Sequence, residues 1–418
     1  METHVYIHTG LTSRQEMIDE ALSGTDVSNV YIYVGDAVRE DYLSDRVQTQ
    51  GATIRTVAGS THSPTSFATL LTGLYAPHHG VETFTDRLRS DTVGLFDILD
   101  IETGFINSIF AFAEREHSEV QDPIFNVLGV DRTSTSLKSI SSPFVLIERG
   151  PGGHAPYGDF DGGASEYFRA RAGADTSTIR SDYARSIDRD VELFERRLDT
   201  LADRGLLDDT LVIYTSDHGE MLGENGLLGH NGPMRPELVY VPTAFIHPEI
   251  PADKSDTDLM HHVDLLPTVC DLLDRGETYV SEMDGSSMLS DCSNEPRPTF
   301  WSNQFLPDSI PLFSGRLAYR GVWDNSGGHV FATPTRSNRL AVLAGKLAKS
   351  SKRSYMRRHL TACLRAYLRG DSTYGRPAFS RSDARRILDS APRNSAESEA
   401  TTLTEDGRQQ LADLGYME

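Results

Sequence analysis

The chain has few cysteines and no long run of apolar residues. Its three cysteines are scattered along 418 residues, which fits neither a disulfide framework nor a zinc-binding pattern and predicts a reducing compartment. No apolar segment approaches the roughly 20 residues of a membrane-spanning helix. The N-terminal stretch also lacks the basic start and apolar core of a secretory signal. We therefore expect a cytoplasmic protein without a membrane span.

Lysine is scarce as well, and the net charge is strongly negative. The 40 basic residues include five lysines, and the formal net charge is −21. An acidic surface that uses arginine is typical of proteins from high salt, because screening relieves the repulsion between carboxylates. The composition predicts a halophilic source and argues against nucleic-acid binding by the main body of the protein.

Apolar runs alternate with amphipathic segments over the first 290 residues. This alternation predicts an α/β domain with a largely parallel sheet covered by helices on both faces. The predicted strands are residues 30–34, 53–57, 105–113, 143–147, 211–215 and 241–247. The predicted helices are residues 11–23, 92–99, 175–204 and 261–273.

The pattern changes after residue 290 to short antiparallel strands. We expect residues 1–290 to form the catalytic α/β domain and residues 291–418 a smaller antiparallel sheet-and-helix subdomain. Residues 346–386 of this subdomain are strongly basic, and residues 388–405 have the composition of a flexible linker. The basic segment either pairs with the acidic body or contacts a polyanionic substrate or a membrane surface peripherally.

The stretch from Ser60 to Val81 places hydroxyl side chains before an apolar helical run. A helix N-terminus has unpaired N–H groups and a partial positive charge, so it suits an anionic ester. Ser63 is therefore a candidate nucleophile at the first turn of a helix. The alternative is that Ser63 and Thr65 are ordinary helix caps.

Asp36 and the pair Asp217-His218 each follow a predicted strand. Parallel neighbours bring such strand ends to one edge of a sheet, where ligands bind. Two carboxylates and an imidazole suit Mn²⁺ or Zn²⁺, with Mg²⁺ and Ca²⁺ as alternatives, and Ser63 is a candidate fourth ligand. The alternative is that these residues are polar turn residues or caps.

Three further histidines, His79, His154 and His230, lie in turn-like surroundings. Their side chains are candidates for binding the oxygens of a phosphate or sulfate ester, or for protonating its leaving group. Arg39 follows Asp36 closely, and we expect it to have a structural role by pairing with Asp41 or a loop carboxylate.

These motifs together resemble the sulfatase branch of the alkaline phosphatase superfamily. The similarity covers roughly residues 28–290 and the C-terminal end, and its elements occur in order. They are VGDAVREDYL at 34–43, LLTG and HGV within 63–81, HAPY at 154–157, TSDHGEMLG at 215–223, GHNGPMRPELVYVP at 229–242, HVDLLPTVCDL at 262–272, DGSSML at 284–289 and the terminal LADLGYME.

The resemblance implies an alkaline phosphatase-like mixed, mostly parallel sheet and metal-assisted cleavage through a covalent intermediate on residue 63. The formylglycine signal C/S-x-P-x-R reads Ser63-Pro64-Thr65-Ser66-Phe67 here. We therefore expect a haloarchaeal-type member that keeps serine as its nucleophile, which favours phosphoryl over sulfuryl transfer. His230 stands at the position of the lysine that the family uses near the leaving group.

We expect a metal-dependent hydrolase that cleaves a sulfate or phosphate ester of a small molecule or glycan. One alternative is transfer of a phospho-group onto a glycan or another alcohol. A second alternative is a non-catalytic binding protein on the same scaffold, which the loss of arginine at Phe67 would favour. The sequence leaves the substrate, the metal and the oligomeric state open.

Overall fold

The computed structural model describes residues 27–98, 100–112, 123–130, 135–274, 280–289, 295–306, 314–394 and 398–416. The helix predicted at residues 11–23 and the cysteine at position 292 lie outside these ranges. Across the described part of the chain, no helix combines the length and the hydropathy that crossing a membrane requires.

The strands and helices are numbered in chain order. The strands are β1 (Asn29–Gly35), β2 (Ala52–Val57), β3 (Asp86–Arg87), β4 (Glu102–Asn107), β5 (Phe144–Gly150), β6 (Thr210–Ser216), β7 (Tyr240–Ile246), β8 (Lys254–His261), β9 (Arg297–Gln304), β10 (Arg316–Asp324), β11 (Gly327–Ala332), β12 (Ser372–Gly375) and β13 (Glu399–Ala400). The helices are α1 (Asp45–Gln48), α2 (Ser63–Thr72), α3 (Ala76–His79), α4 (Pro123–Leu128), α5 (Ala164–Ala170), α6 (Thr176–Asp203), α7 (Pro236–Val239), α8 (Leu265–Leu272), α9 (Arg336–Lys349), α10 (Arg353–Arg358), α11 (Leu360–Leu368), α12 (Arg381–Ser390) and α13 (Glu405–Asp413).

A seven-stranded sheet with the order β4-β5-β1-β6-β7-β2-β8 forms the centre of the fold. The pairs β4–β5, β5–β1, β1–β6 and β2–β8 are parallel, and the pairs β6–β7 and β7–β2 are antiparallel. A second sheet, with the order β12-β11-β10-β9, is antiparallel. The predicted fold class, a mixed and mostly parallel sheet with a smaller antiparallel sheet, is confirmed.

Strand β1 shows why helices cover both faces of the central sheet. Alternate side chains of a strand point to opposite faces. Val30, Ile32 and Val34 pack in the cluster that contains the apolar side of α2. Tyr31 and Tyr33 pack on the other face against α6. Because every residue of β1 is buried, its residues 30–34 form a continuous apolar run rather than alternating with polar residues.

Two predicted elements differ from the structure. Of the helix predicted at residues 92–99, the described residues 92–98 form only a short 3₁₀ turn at Leu95–Asp97. The first turn of a helix is costly to form, and so short a helix adds few further hydrogen bonds to offset that cost. The strand predicted at residues 105–113 is β4, which begins earlier and ends at Asn107. The last residue of β4, Asn107, pairs with Arg149 of β5, and β5 itself ends one residue later, at Gly150. Strand β4 therefore ends where its partner strand β5 ends.

The basic segment and the predicted linker both pack against the body. Within the segment, Arg385 pairs with Asp371, and Arg358 donates to backbone carbonyls at positions 172 and 174. Arg385 thus pairs inside the segment, and Arg358 contacts backbone carbonyls of the loop after α5, so both alternatives for this segment stay predictions. The region expected to be a linker includes the end of α12 and the strand β13, which pairs with β3.

Candidate active site

The carboxyl ends of three neighbouring strands meet at one edge of the central sheet. β1 lies between β5 and β6, and Gly35 pairs with Gly150 on one side and with Ser216 on the other. Asp36 and Asp217 follow directly after β1 and β6, and both are fully buried. The matched register brings these two carboxylates close together, as we expected from their positions after parallel strands.

Close backbone packing holds Asp36 in place. Gly152, in the loop after β5, has a φ of 52°, a conformation that residues with a side chain adopt rarely. A Cβ atom at Gly152 would lie 2.1 Å from the backbone oxygen of Asp36. The next residue, Gly153, donates its N–H to the same oxygen over 2.8 Å. A glycine is therefore required where this loop crosses the end of β1.

Helix α2 brings Ser63 to the same edge of the sheet. Ser63 is its first residue, and Gly73, in the left-handed conformation, ends it. His62 precedes the helix, and its side chain makes no capping hydrogen bond. Thr65 donates to a backbone carbonyl outside the helix. The alternative that Ser63 and Thr65 are helix caps is therefore wrong.

The Ser63 hydroxyl is buried among three polar groups. Its Oγ lies 2.9 Å from the Tyr416 hydroxyl, 3.2 Å from His218 Nε2 and 3.4 Å from Asp36 Oδ2. The partial positive charge of the helix N-terminus favours an anion at this point. The hydroxyl thus has a carboxylate, an imidazole and a phenol within reach.

The hydrogen bond of His218 Nδ1 determines whether His218 Nε2 carries a proton or a lone pair. Nδ1 lies 2.9 Å from the backbone oxygen of Gly219, which can only accept a hydrogen bond, so Nδ1 carries the proton of the neutral ring. The lone pair is then on Nε2, which lies 3.2 Å from Ser63 Oγ and 3.5 Å from Asp217 Oδ2. Nε2 can therefore accept the serine proton or bind a metal ion.

The donor set fits a divalent metal ion. Within the described ranges, Asp36 Oδ1 and Asp217 Oδ2 are buried without a hydrogen-bond partner. One ligand atom each of Asp36, Asp217 and His218 lies within 4.8 Å of the other two. Unpaired buried carboxylate oxygens are costly unless something binds them. Together with a ring nitrogen they suit Mn²⁺ or Zn²⁺, and also Mg²⁺ or Ca²⁺.

A buried positive charge, Arg149, lies against these carboxylates. Its Nε and Nη2 donate to Asp36 Oδ2 over 2.9 and 2.6 Å, and both side chains are fully buried. Burial alone would raise the pKa of Asp36, but Arg149, together with the nearby histidines, holds that pKa below its usual value. Burial and the charge of Asp36 raise the pKa of Asp217. The site therefore stabilises one ionised carboxylate more readily than two.

Aromatic rings close the site above Ser63. The Tyr416 ring centroid lies 4.9 Å from that of Phe84, 5.4 Å from those of His154 and His230, and 5.6 Å from that of His62. The His230 ring also lies 4.3 Å from the ring of His218. The structure thus brings His154 and His230 into the cluster around Ser63, together with a tyrosine from the C-terminal end of the described chain.

His154 and His230 are placed as neutral imidazoles. Nδ1 of His154 donates to the backbone oxygen of Ala155 over 2.8 Å, so its Nε2 carries a lone pair. Burial lowers the pKa of His154 to about 4 and the pKa of His230 well below its usual value. Nδ1 of His230 lies 3.5 Å from Glu220 Oε2, and Nε2 of His230 has no hydrogen-bond partner among the described residues. The Nε2 atom of each ring is therefore available for a hydrogen bond with a bound substrate.

The structure does not bring His79 into this cluster. Its Nε2 lies 3.1 Å from Thr69 Oγ1 on α2, and its Nδ1 accepts from the N–H of Val81. These contacts fasten helix α2 to the turn that follows α3. The structural role predicted for Arg39 is confirmed, because its guanidinium pairs with Asp41 and with a carboxylate in the loop after β6.

Comparison with known proteins identifies the family of this chain. The model of the family described as Sulfatase matches residues 130–275. The protein named "Low-salt glycan biosynthesis sulfotransferase Agl7", from Haloferax volcanii, is 31% identical over 411 residues, which are 95% of this chain and 98% of that protein. The chain belongs to the sulfatase family.

Solved structures agree with this membership at the level of the fold. A phosphonate monoester hydrolase of Agrobacterium radiobacter superposes with a TM-score of 0.52 at 19% identity, covering 84% of this chain and 100% of that one. A 2-O GAG sulfatase superposes with a TM-score of 0.55 at 15% identity, covering 82% and 92% of the two chains. The sulfatase-family chain is thus built on the alkaline phosphatase-like fold.

Proposed function

We propose that this sulfatase-family protein transfers a sulfuryl group from a sulfate ester to a hydroxyl of a glycan, through a covalent intermediate on Ser63. The observation that carries the proposal is the buried Ser63 hydroxyl at a helix N-terminus, in contact with His218, Asp36 and Tyr416. The name of the Haloferax volcanii relative supports sulfuryl transfer to a glycan over the hydrolysis and the phosphoryl transfer that the sequence favoured.

In the first step Ser63 Oγ attacks the sulfur of the donor ester. The bond from sulfur to the donor alcohol breaks, and that alcohol leaves with the proton that Ser63 releases. We assign stabilisation of the negative oxygens of the transferred group to the helix N-terminus and to Nε2 of His230 as a donor. The product of this half-reaction is a sulfated serine and a free donor alcohol.

Asp36, Asp217, His218 and Ser63 are the residues that would hold a divalent metal ion. Such an ion supplies positive charge that lowers the pKa of the serine hydroxyl and offsets the charge of the ester. When His218 Nε2 is not bound to metal, it is the nearest group that can accept the serine proton. A metal titration of the rate separates these two uses of the nitrogen.

In the second step an acceptor hydroxyl attacks the sulfur, and the bond from sulfur to Ser63 Oγ breaks. His154 Nε2 is placed to accept the proton of the acceptor. That proton is then passed on to the serine oxygen, which restores the free Ser63 hydroxyl. If water replaces the acceptor, the same sequence of steps gives sulfate ester hydrolysis, so the product analysis decides between transferase and hydrolase.

The test uses 4-nitrophenyl sulfate as donor with Mn²⁺ in high salt. We expect intact-protein mass spectrometry to find one added sulfuryl group on Ser63 and none in Ser63→Ala. The variant should lose at least about 10³-fold in rate, as is typical when a nucleophile is removed. Ser66→Ala is the matched control, because Ser66 is buried on the same helix and only donates to the backbone of Ser60.

Two results would contradict the proposal. Normal release of 4-nitrophenol by Ser63→Ala would show that residue 63 is not the nucleophile. A wild-type protein that becomes labelled by 4-nitrophenyl phosphate and never by the sulfate would show that the transferred group is phosphoryl.

A further inference from the structure

A cleft of about 370 Å³ lies next to the closed Ser63 site. Phe110, Phe112 and Phe160 line it and are half-buried. Exposed Asp159 and Asp161 stand at the same opening. This volume is within the range of small-molecule sites, which combine apolar walls with a few polar groups. The lining is suited to a neutral ligand that presents both C–H faces and hydroxyl groups.

Arg189 of helix α6 organises one side of the cleft. Its guanidinium carbon lies 4.4 Å from the ring centroid of Phe112. Its Nη1 donates to the backbone oxygen of Gly158 over 2.8 Å and lies 3.4 Å from Asp159. Arg189 therefore connects the Phe112 ring and the Asp159 carboxylate, which lie on two different loops, to helix α6.

The inner end of the cleft reaches the groups around the nucleophile. His154 lines the cleft, and its ring centroid lies 5.4 Å from that of Tyr416. Its Nε2 is buried and has no hydrogen-bond partner within the described ranges. Asp413 and Leu414 form another wall of the cleft, close in sequence to Tyr416. The C-terminal segment thus touches both the cleft and Ser63.

Tyr416 contacts both the nucleophile and His154, which lines the cleft. Ser63 is fully buried, and the Tyr416 hydroxyl lies 2.9 Å from its Oγ. A sulfuryl group on Oγ needs the space beside that oxygen. The phenol must therefore move away when the group is bound, and it can return when the group has left.

We propose that the cleft binds one sugar ring of the acceptor glycan, and that Tyr416 moves off Ser63 to let a sugar hydroxyl reach the transferred group. A sugar ring offers C–H faces to the phenylalanines and hydroxyls to Asp159 and Arg189. The bond that forms joins the acceptor oxygen to sulfur, the bond that breaks joins sulfur to Ser63, and the acceptor proton goes to His154. This inference rests on the proposed sulfuryl transfer.

The binding arm of the test needs no sulfate donor. Saturation-transfer NMR measures the binding of methyl α-D-mannopyranoside and methyl α-D-glucopyranoside to the full chain with Mn²⁺ in high salt. We expect at least one glycoside to bind wild type and to bind Phe160→Ala about tenfold more weakly. Phe379→Ala is the matched control, because Phe379 is also half-buried but packs on His329 in the small-sheet region. Absence of glycoside binding to wild type, or equal binding to Phe160→Ala, would overturn the assignment of the cleft.

The transfer arm measures each half-reaction separately. With the bound glycoside as acceptor, we expect the acceptor KM of Phe160→Ala to rise about tenfold, while 4-nitrophenyl sulfate still sulfates Ser63 of the variant. If wild type releases no 4-nitrophenol, the proposed function fails, whereas the NMR result for the cleft stands separately. An unchanged acceptor KM with normal 4-nitrophenol release would contradict the cleft alone.

Tyr416 is tested by the ratio of hydrolysis to transfer. Tyr416→Ala removes the ring that covers Ser63, so we expect water to compete better and this ratio to rise several-fold. Tyr416→Phe keeps the ring and should stay close to the wild-type ratio. Circular dichroism and a melting curve check that both variants are folded. An unchanged ratio in a folded Tyr416→Ala would show that Tyr416 does not control access to the nucleophile.

Discussion

Consecutive residues of β5, Glu148 and Arg149, form two buried ion pairs on opposite faces of the central sheet. Glu148 accepts from Arg197 of α6 over 2.8 and 2.9 Å, from Tyr31 over 2.7 Å and from Ser108 over 2.6 Å. On the α2 face, Arg149 pairs with Asp36 over 2.6 Å. Both pairs have a fully buried member on β5, so burial alone does not distinguish them.

Hydrogen-bond satisfaction does distinguish the two faces. Both oxygens of Glu148 have donors, whereas Asp36 Oδ1 and Asp217 Oδ2 have none among the described residues. Native proteins rarely leave buried polar atoms unpaired, because each costs about 1–3 kcal/mol. The hydrogen-bond network around Glu148 on the α6 face is therefore complete, whereas the carboxylates on the α2 face are arranged for a ligand.

The largest expected effect is on the free energy of unfolding, and it comes from the Glu148 network on the α6 face. Glu148→Gln removes the charge that Arg197, Tyr31 and Ser108 face, and we expect a loss of about 3 kcal/mol in the free energy of unfolding. The rate per folded molecule should stay close to that of wild type. Chemical denaturation and a kinetic assay measure these two quantities. Asp91→Asn, which breaks an exposed pair with Arg89, is the control and should change neither. A stable but inactive Glu148→Gln would mean that both faces serve catalysis.

The second prediction concerns pH on the same face. Asp190 accepts from Tyr33 Oη over 2.7 Å, from Tyr214 Oη over 3.2 Å and from the N–H of Gly152 over 2.8 Å. Burial raises its pKa to about 6. Between pH 4 and 6 the folded protein therefore holds a proton that the unfolded chain releases, and the free energy of unfolding falls as pH rises.

We expect this fall to be about 2–3 kcal/mol, since one pKa unit corresponds to about 1.4 kcal/mol. Asp190→Asn removes the titrating group, so the difference between variant and wild type should follow the same pH window. Denaturation curves at several pH values measure it. If the two proteins lose stability in parallel from pH 4 to 7, Asp190 is not the group responsible.

The sequence predicted most of the candidate site on the α2 face, but it missed the buried arginine there. Asp36, Asp217 and His218 follow strands, and Ser63 begins a helix, so local patterns place all of them at one edge of a parallel sheet. Arg149 was missed because the predicted strand stopped at position 147. A Glu-Arg pair continuing an apolar strand into a glycine-rich loop was the available signal, since neighbouring strand residues point to opposite faces.

Tyr416 and His79 show what local patterns cannot decide. Tyr416 is 353 positions away from Ser63 in sequence, and only the packing of the C-terminal segment brings its hydroxyl to the serine. His79 shares a turn-like setting with His154 and His230, but its ring nitrogens are used by Thr69 and a backbone N–H. Which histidine has a free nitrogen depends on tertiary contacts rather than on the neighbouring residues.

The smallest expected effect concerns metal binding on the α2 face and tests whether this face binds a ligand. Asp36 and Asp217 carry two negative charges when ionised, and Arg149 offsets one of them. Arg149→Met removes that offset, so we expect a divalent cation to bind the variant about tenfold more tightly than it binds wild type. Saturating Mn²⁺ should then stabilise the variant by about 1.4 kcal/mol more than it stabilises wild type. Calorimetric titration and melting curves with and without Mn²⁺ measure both quantities. Equal Mn²⁺ affinity in the two proteins would mean that the unpaired carboxylate oxygens do not bind the cation, and that Arg149 stabilises Asp36 as Arg197 stabilises Glu148 on the opposite face.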